Sequence, residues 1–191
     1  MTPIRAVIFD MDGTLTRPYL DFPAIREAIG IGEPLLENML ALPHGPERSR
    51  AFEILERFED EAADASELNE GARDVLGFLS NRGIPSGLVT RNSRRSTDRT
   101  LRKHALSFEI VVTREDAPAK PRPEPLWLIC DKLGVPPSQA VMVGDFKFDI
   151  VAGRNAGTRT ALLTNGKSPP YLQEIPPDHL LHTLGDLLRL F

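Results

Sequence analysis

The sequence has a single cysteine, Cys130, and therefore cannot form an internal disulfide. Chains of this kind are suited to a reducing compartment, and we expect a soluble cytoplasmic protein. There is no apolar run long enough to cross a bilayer, and the apolar stretch after Arg5 is interrupted by Asp10, which is not typical of a signal peptide. The formal net charge of −4 gives no reason to expect nucleic-acid binding. We therefore expect no disulfide scaffold and no membrane or nucleic-acid partner.

Hydrophobic residues make up 41% of the 191 residues, which is enough for the core of one domain with a small insert. Short apolar, partly β-branched runs predict strands at 4–9, 86–89, 108–112, 140–143 and 160–163, with a weak strand at 180–181. Helical patterns alternate with these runs, at 72–79, 93–104, 126–133, 148–156 and 184–190. This alternation predicts an α/β fold, a Rossmann-like parallel sheet with helices on both faces.

The region that follows the first predicted strand lacks strand signals. It predicts three helices, at 22–31, 34–42 and 46–65, and the third has apolar residues at helical spacing with charges on its other face. We therefore expect an α/β core formed by 1–15 and 71–191, with a small all-helical insertion over 16–70.

Two carboxylates follow the first predicted strand. Asp10 and Asp12 lie at positions i and i+2, so their side chains point to the same side, and Gly13 permits a sharp turn directly after them. A hard divalent cation relieves the repulsion between such carboxylates, and Mg²⁺ prefers oxygen ligands and often binds phosphates as well. The run predicts a phosphoryl-transfer site, while an Asp-rich turn without chemistry is the ordinary alternative.

Polar residues also follow three other predicted strands. Thr90 and Arg91 follow the second, Lys120 lies beyond the third, and Asp145 and Asp149 follow the fourth. Each has an ordinary interpretation as a helix cap or a solvated charge. Ligands in open parallel sheets bind beyond the carboxyl ends of the strands. The coincidence at four successive strand ends favours a functional site.

This set of motifs, in this order, resembles that of the haloacid dehalogenase superfamily of phosphohydrolases. The matching segments are Asp10-Met11-Asp12-Gly13-Thr14, Thr90, Lys120-Pro121, and Gly144-Asp145 with Asp149. The insertion resembles the helical cap of phosphoglycolate-phosphatase-like members. The resemblance implies a Mg²⁺-dependent phosphatase acting on a small phosphomonoester, phosphoglycolate-like or a sugar phosphate, by way of an aspartyl-phosphate.

The resemblance also implies a role for each matching residue. Asp10 is the expected nucleophile and Asp12 the expected general acid and base. The resemblance implies Thr90 and Lys120 as phosphate-binding residues, and we expect Arg91, next to Thr90, to join them. The implied metal ligands are Asp10, the backbone carbonyl of Asp12, Asp145 and Asp149. One position departs from the commonest pattern, because Phe146 stands where a small residue such as serine often follows the acid.

Other interpretations remain open at this point. A phosphomutase of the same superfamily shares all four motifs, and a receiver-like signalling module also accepts phosphate on an aspartate. Dehalogenation is disfavoured, because that branch lacks an acid at the position of Asp12. We expect a monomer or a small homo-oligomer, a solvated basic face on the helix over 93–104, and core positions for Trp127 and Cys130.

Overall fold

The computed structural model describes residues 3–191 and contains one sheet of six parallel strands in the described part of the chain. The strands are β1 (Ala6–Phe9), β2 (Ser86–Val89), β3 (Ile110–Val112), β4 (Ala140–Gly144), β5 (Arg159–Leu163) and β6 (His179–Leu181). Their order across the sheet is β3-β2-β1-β4-β5-β6, so β1 and β4 are central neighbours. The change in strand order at β1 creates the crevice in which open α/β sheets bind ligands.

Helices cover both faces of this sheet, as predicted. They are α4 (Ala72–Asn81), α5 (Arg94–His104), α6 (Glu124–Leu133) and α7 (Lys147–Ala156). Side chains of β1 alternate between two hydrophobic cores: Phe9 packs in the cluster that contains Leu79 of α4, and Ile8 packs in the cluster that contains Ile129 of α6. The last predicted helix is present as a 3₁₀ helix, Leu184–Leu190. None of the helices in residues 3–191 is long and apolar enough to span a membrane.

Helix α6 corrects one prediction about the core. Cys130 is buried, as expected, but Trp127 is 47% exposed. The buried residues Leu126, Ile129 and Cys130 follow the i, i+3, i+4 spacing of one helix face, and Trp127 lies one position beyond it. Its indole therefore lies at the edge of that face, where Nε1 donates to the carbonyl of Ala156 at 3.1 Å.

Three helices follow β1 in the chain before α4, as the helical pattern predicts. These are α1 (Phe22–Ile29), α2 (Leu35–Ala41) and α3 (Pro46–Ala65), and they share a hydrophobic cluster that includes Ile25, Met39 and Leu55. The chain segments that enter and leave this region lie side by side. They are joined by an isolated antiparallel bridge between Thr16 and Leu68.

Helix α3 packs along α5, on the basic face that the sequence predicts to be solvated. The guanidinium of Arg95 pairs with the carboxylate of Asp60, and Arg99 Nη2 lies 2.5 Å from a carboxylate oxygen of Asp64. Lys103 Nζ donates to the backbone carbonyl of Asp64 at 2.5 Å. The side chains of Arg95 and Arg99 are 62% and 44% exposed, so the basic face is solvated as expected, and its ion pairs also join α5 to α3.

A buried ion pair lies at the centre of this contact. Glu59 of α3 and Arg114, which follows β3, are 2% and 6% exposed and pair directly through their side chains. Glu59 also accepts the backbone N–H of Ser93 at 3.1 Å, at the start of α5. Burial raises the pKa of Glu59, and Arg114 opposes this effect. A buried charge needs such a partner, so this pair fixes the position of α3.

Candidate active site

Three of the four predicted acidic residues meet beyond the carboxyl ends of the central strands β1 and β4. The backbone N–H of Asp10 donates to the carbonyl of Val143 at 2.9 Å, which ties the end of one strand to the end of the other. As a result, carboxylate oxygens of Asp10, Asp145 and Asp149 lie within 4.8 Å of one another. Sequence positions more than a hundred residues apart thus form one acidic cluster.

Two glycines make room for this cluster. Gly13 has a φ of +82°, and a Cβ at this position would lie 2.1 Å from Oδ2 of Asp145. A Cβ at Gly144 would lie 2.2 Å from Oδ2 of Asp149. Both distances are far inside van der Waals contact, so any larger residue would displace a carboxylate. Gly13 therefore permits the turn after Asp12 and also leaves space for the carboxylate of Asp145.

Lys120 supplies the positive charge within the cluster. Its buried Nζ donates to Asp10 Oδ1 at 2.5 Å, to Asp149 Oδ1 at 2.7 Å and to the carbonyl of Val89 at 3.2 Å. An ammonium group has three protons, so these bonds use all of them. Burial lowers the pKa of Lys120, but the two carboxylates outweigh it, and the pKa is raised. The lysine thus remains charged beside Asp10.

One lysine does not balance the carboxylates around it. Burial raises the pKa of Asp10 to about 7, against the opposing effect of Lys120. Burial, together with the charges of Asp10 and Asp149, raises the pKa of Asp145 to about 8. The three carboxylates offer hard oxygen donors around one point, which is the donor set that Mg²⁺ prefers. The residues present therefore fit a divalent cation, which would relieve the repulsion.

The carboxyl group of Asp12 lies outside this three-residue cluster. Its Oδ2 accepts a hydrogen bond from Nδ2 of Asn92 at 2.6 Å, and burial raises its pKa. Sequence reasoning did not assign a role to Asn92. The sequence feature that could have indicated a role for Asn92 is its position directly after Thr90 and Arg91, at the end of a strand beside β1.

Thr90 lies buried at the end of β2, as predicted. Its Oγ1 accepts the backbone N–H of Asn92 at 3.2 Å, so the hydroxyl proton is available to a ligand.

The guanidinium of Arg91 points toward α2 rather than into the acidic cluster. It pairs with both carboxylate oxygens of Glu37, at 2.9 and 3.0 Å, and donates to the carbonyl of Lys120. It also lies over the ring of Phe148, 4.6 Å from the centroid. Burial raises the pKa of Glu37, but Arg91 outweighs this effect and the pKa is lowered. Arg91 is therefore the link between the helical insertion and the loops of the acidic cluster.

The family model described as haloacid dehalogenase-like hydrolase matches residues 31–163. The chain belongs to this family. The match includes Thr90, Lys120, Asp145 and Asp149 and begins within the helical insertion. The resemblance inferred from the four motifs is confirmed.

Individual relatives of the family agree with this assignment. A haloacid dehalogenase-like hydrolase domain-containing protein of Arabidopsis thaliana is 35% identical, over 99% of this chain and 84% of that protein. The N-acetylmuramic acid 6-phosphate phosphatase of Pseudomonas aeruginosa is 31% identical, over 97% of this chain and 90% of that protein. The crystal structure of a hydrolase from Pseudomonas syringae has a TM-score of 0.80 at 21% identity, with 97% of this chain and 96% of that chain covered. This last likeness confirms the α/β fold.

Proposed function

We propose that this haloacid dehalogenase-like hydrolase is a Mg²⁺-dependent phosphatase that cleaves a small phosphomonoester through an aspartyl-phosphate. The observation that carries the proposal is the joint placement of Asp10, Lys120, Asp145 and Asp149 in one cluster, in which only Asp145 is partly exposed. Such a site has a nucleophile, a fixed cation and oxygen ligands for a metal. A strand that merely ended in an acidic turn would not bury a lysine among three carboxylates.

In the proposed reaction, Asp10 attacks phosphorus, the bond from phosphorus to the ester oxygen breaks, and the leaving alcohol takes a proton from Asp12. Burial raises the pKa of Asp12 and thereby favours the protonated form that this step needs. Asp12 then accepts a proton from the water that attacks the phosphorus of the aspartyl-phosphate. This second step releases inorganic phosphate and restores Asp10.

Positive charge and hydrogen bonds would hold the phosphoryl group during both steps. Thr90 would donate its hydroxyl proton to a phosphoryl oxygen, and Lys120 would offset the charge on Asp10 and the phosphate. Arg91 would add a further contact if it moves from Glu37. When bound to Asp10, Asp145, Asp149 and the backbone carbonyl of Asp12, Mg²⁺ would supply the remaining positive charge.

We assign residues 16–70 to a cap over this site. The contact from Glu37 to Arg91 supports the assignment, because it joins α2 to the residue next to Thr90. Closure of a cap excludes water and brings further residues to the leaving group. The substrate class is small phosphomonoesters, phosphoglycolate-like or sugar phosphates. The Pseudomonas aeruginosa relative named for a sugar phosphate supports the latter.

The test is phosphate release from a panel of phosphomonoesters, with Mg²⁺ or with EDTA. The panel includes a sugar bisphosphate and its monophosphate isomers, which would expose a phosphomutase. We expect release that requires Mg²⁺ and is abolished in Asp10→Asn, while the exposed Asp131→Asn on α6 behaves as the wild type. Release that persists in Asp10→Asn would contradict the covalent mechanism, and isomerisation without release would identify a mutase.

A further inference from the structure

Three aromatic side chains lie together at the rim of the acidic cluster. The ring centroid of Phe146 is 5.1 Å from that of Phe148 and 5.8 Å from that of Tyr171, with both pairs edge to face. Phe146 follows Asp145 directly, and the hydroxyl of Tyr171 donates to the backbone carbonyl of Asp145 at 3.4 Å. The chain has only nine phenylalanines, two tyrosines and one tryptophan, so three of them at one rim is a marked concentration.

Helix formation does not explain the phenylalanine at this position. Phe146 is the N-cap of α7, where serine, threonine, aspartate and asparagine are preferred because their side chains accept a backbone N–H of the first turn. A phenyl ring accepts no such bond. The reverse contact is present, since the backbone N–H of Phe146 donates to Oδ2 of Asp149 at 3.0 Å, but it does not depend on the side chain at 146. The helix start is thus weaker with phenylalanine than with serine.

Core packing does not explain it either. Phe146 is 44% exposed and belongs to neither of the two hydrophobic clusters that line the faces of the sheet. Its packing is confined to the aromatic contacts at the rim, and a residue that breaks a local rule in this way is expected at a functional or strained site. The ring is held in place by Phe148 and Tyr171, and Nζ of Lys147 lies 5.7 Å from its centroid, so it presents a fixed aromatic surface with a cation at one side.

We propose that Phe146 is a specificity-determining residue that contacts the leaving group and favours substrates with a planar heteroaromatic ring, namely nucleoside 5′-monophosphates. The inference rests on the proposed function, which places the phosphate beside Asp10 and Lys120. In such a complex the ribose would lie between the acidic cluster and Phe146, and the base would stack on the ring of Phe146. Base stacking on an aromatic side chain tolerates any base, because each has a π-face.

The experiment compares kcat/KM for adenosine 5′-monophosphate and ribose 5-phosphate, which share the phosphate and the ribose and differ in the base. Single base–aromatic contacts correspond to factors of about 5 to 150. We expect the wild type to prefer the nucleotide by about tenfold, Phe146→Ser to bring this ratio close to one, and Phe146→Trp to keep it. Leu180→Ser is the matched control, since Leu180 is 46% exposed on β6, away from the acidic cluster, and its ratio should equal the wild-type ratio.

The possible failures are distinguishable. If the wild type releases phosphate from a sugar phosphate but shows no preference for the nucleotide, the inference is wrong and the proposed function stands. If Phe146→Ser lowers both kcat/KM values by the same factor, Phe146 only supports the structure and the inference is wrong. If the wild type releases phosphate from no phosphomonoester, the proposed function fails and this inference fails with it.

Discussion

Replacement of Asp145 with asparagine is expected to make the metal-free protein more stable, although it removes a proposed metal ligand. Asp145 is partly buried in a cluster with Asp10 and Asp149, and Lys120 is the cation that pairs with carboxylates there. In the absence of metal, these carboxylates either repel one another or one of them takes up a proton, and both lower the free energy of unfolding. Asparagine has nearly the same shape and carries no charge, so it removes this loss of stability.

The pKa of Asp145 sets the size of the effect. The pKa rises from 3.8 to about 8 on folding, because of burial and the charges of Asp10 and Asp149. One pKa unit corresponds to about 1.4 kcal/mol. The gain in the free energy of unfolding on removal of this carboxylate therefore has an upper limit of roughly 5 kcal/mol near pH 7.5. Water reaches part of the carboxyl group, and protonation of Asp10 relieves the same repulsion. We therefore expect a gain of about 2 kcal/mol, or roughly 4 to 8 °C in Tm for a chain of this length.

The direction of the pH dependence follows from the same values. The folded protein keeps protons on Asp10 and Asp145 up to about pH 7 and 8, whereas the unfolded chain loses them near 3.8. The folded state therefore binds more protons in this interval, and the stability of the metal-free wild type falls as the pH rises through it. The fall should be smaller in Asp145→Asn.

The assay is thermal unfolding in EDTA and in Mg²⁺, with Asp131→Asn as the control for loss of an exposed carboxylate. Mg²⁺ at about 100 times its Kd would stabilise the wild type by about 2.7 kcal/mol, and we expect it to leave Asp145→Asn nearly unchanged. A Tm of Asp145→Asn below that of the wild type in EDTA would refute the reasoning. It would mean that the Asp145 carboxylate stabilises the fold without metal.

Three further predictions concern other parts of the structure. Glu59→Leu leaves Arg114 buried without its main partner, and urea unfolding should show a loss of about 3 kcal/mol; a loss below about 1 kcal/mol would contradict a structural role for the pair. Gly13→Ala drives a Cβ into Asp145, so calorimetry should detect no Mg²⁺ binding, and wild-type affinity would contradict the geometry. Burial raises the pKa of Cys130 to about 11, so its reaction with a thiol reagent near pH 8 should be about 100-fold slower than in denaturant. Equal rates would show that α6 opens freely.

The features predicted correctly from the sequence are those that depend on local order along the chain. Asp10, Thr90 and Asp145 each follow an apolar run that the sequence predicts as a strand. A parallel sheet brings the carboxyl ends of its strands to one edge. This rule is sufficient to predict that Asp10 and Asp145 meet. Lys120 lies in the loop between β3 and α6, and its three hydrogen bonds in the cluster do not follow from this rule.

The features that the sequence did not reveal depend on how the helical insertion sits on the sheet domain. Nothing in the residues around Glu37 indicates that it meets Arg91, and nothing around Asp60 indicates that it meets Arg95. Charged residues on a helix face are usually solvated, and only the docking of α3 on α5 turns them into partners. The same limit explains Asn92, whose contact with Asp12 crosses between two strand ends.

The most direct test of the central claim is to trap the phosphoryl group on Asp10. Asp12→Asn should retain the first step with p-nitrophenyl phosphate, whose good leaving group needs little help from an acid, and should be slow to hydrolyse the intermediate. Acid quenching and borohydride reduction convert an aspartyl-phosphate to homoserine, which mass spectrometry of the peptide locates. We predict homoserine at position 10, in a reaction that requires Mg²⁺. Phosphate release without homoserine at position 10, or homoserine at another aspartate, would contradict the account.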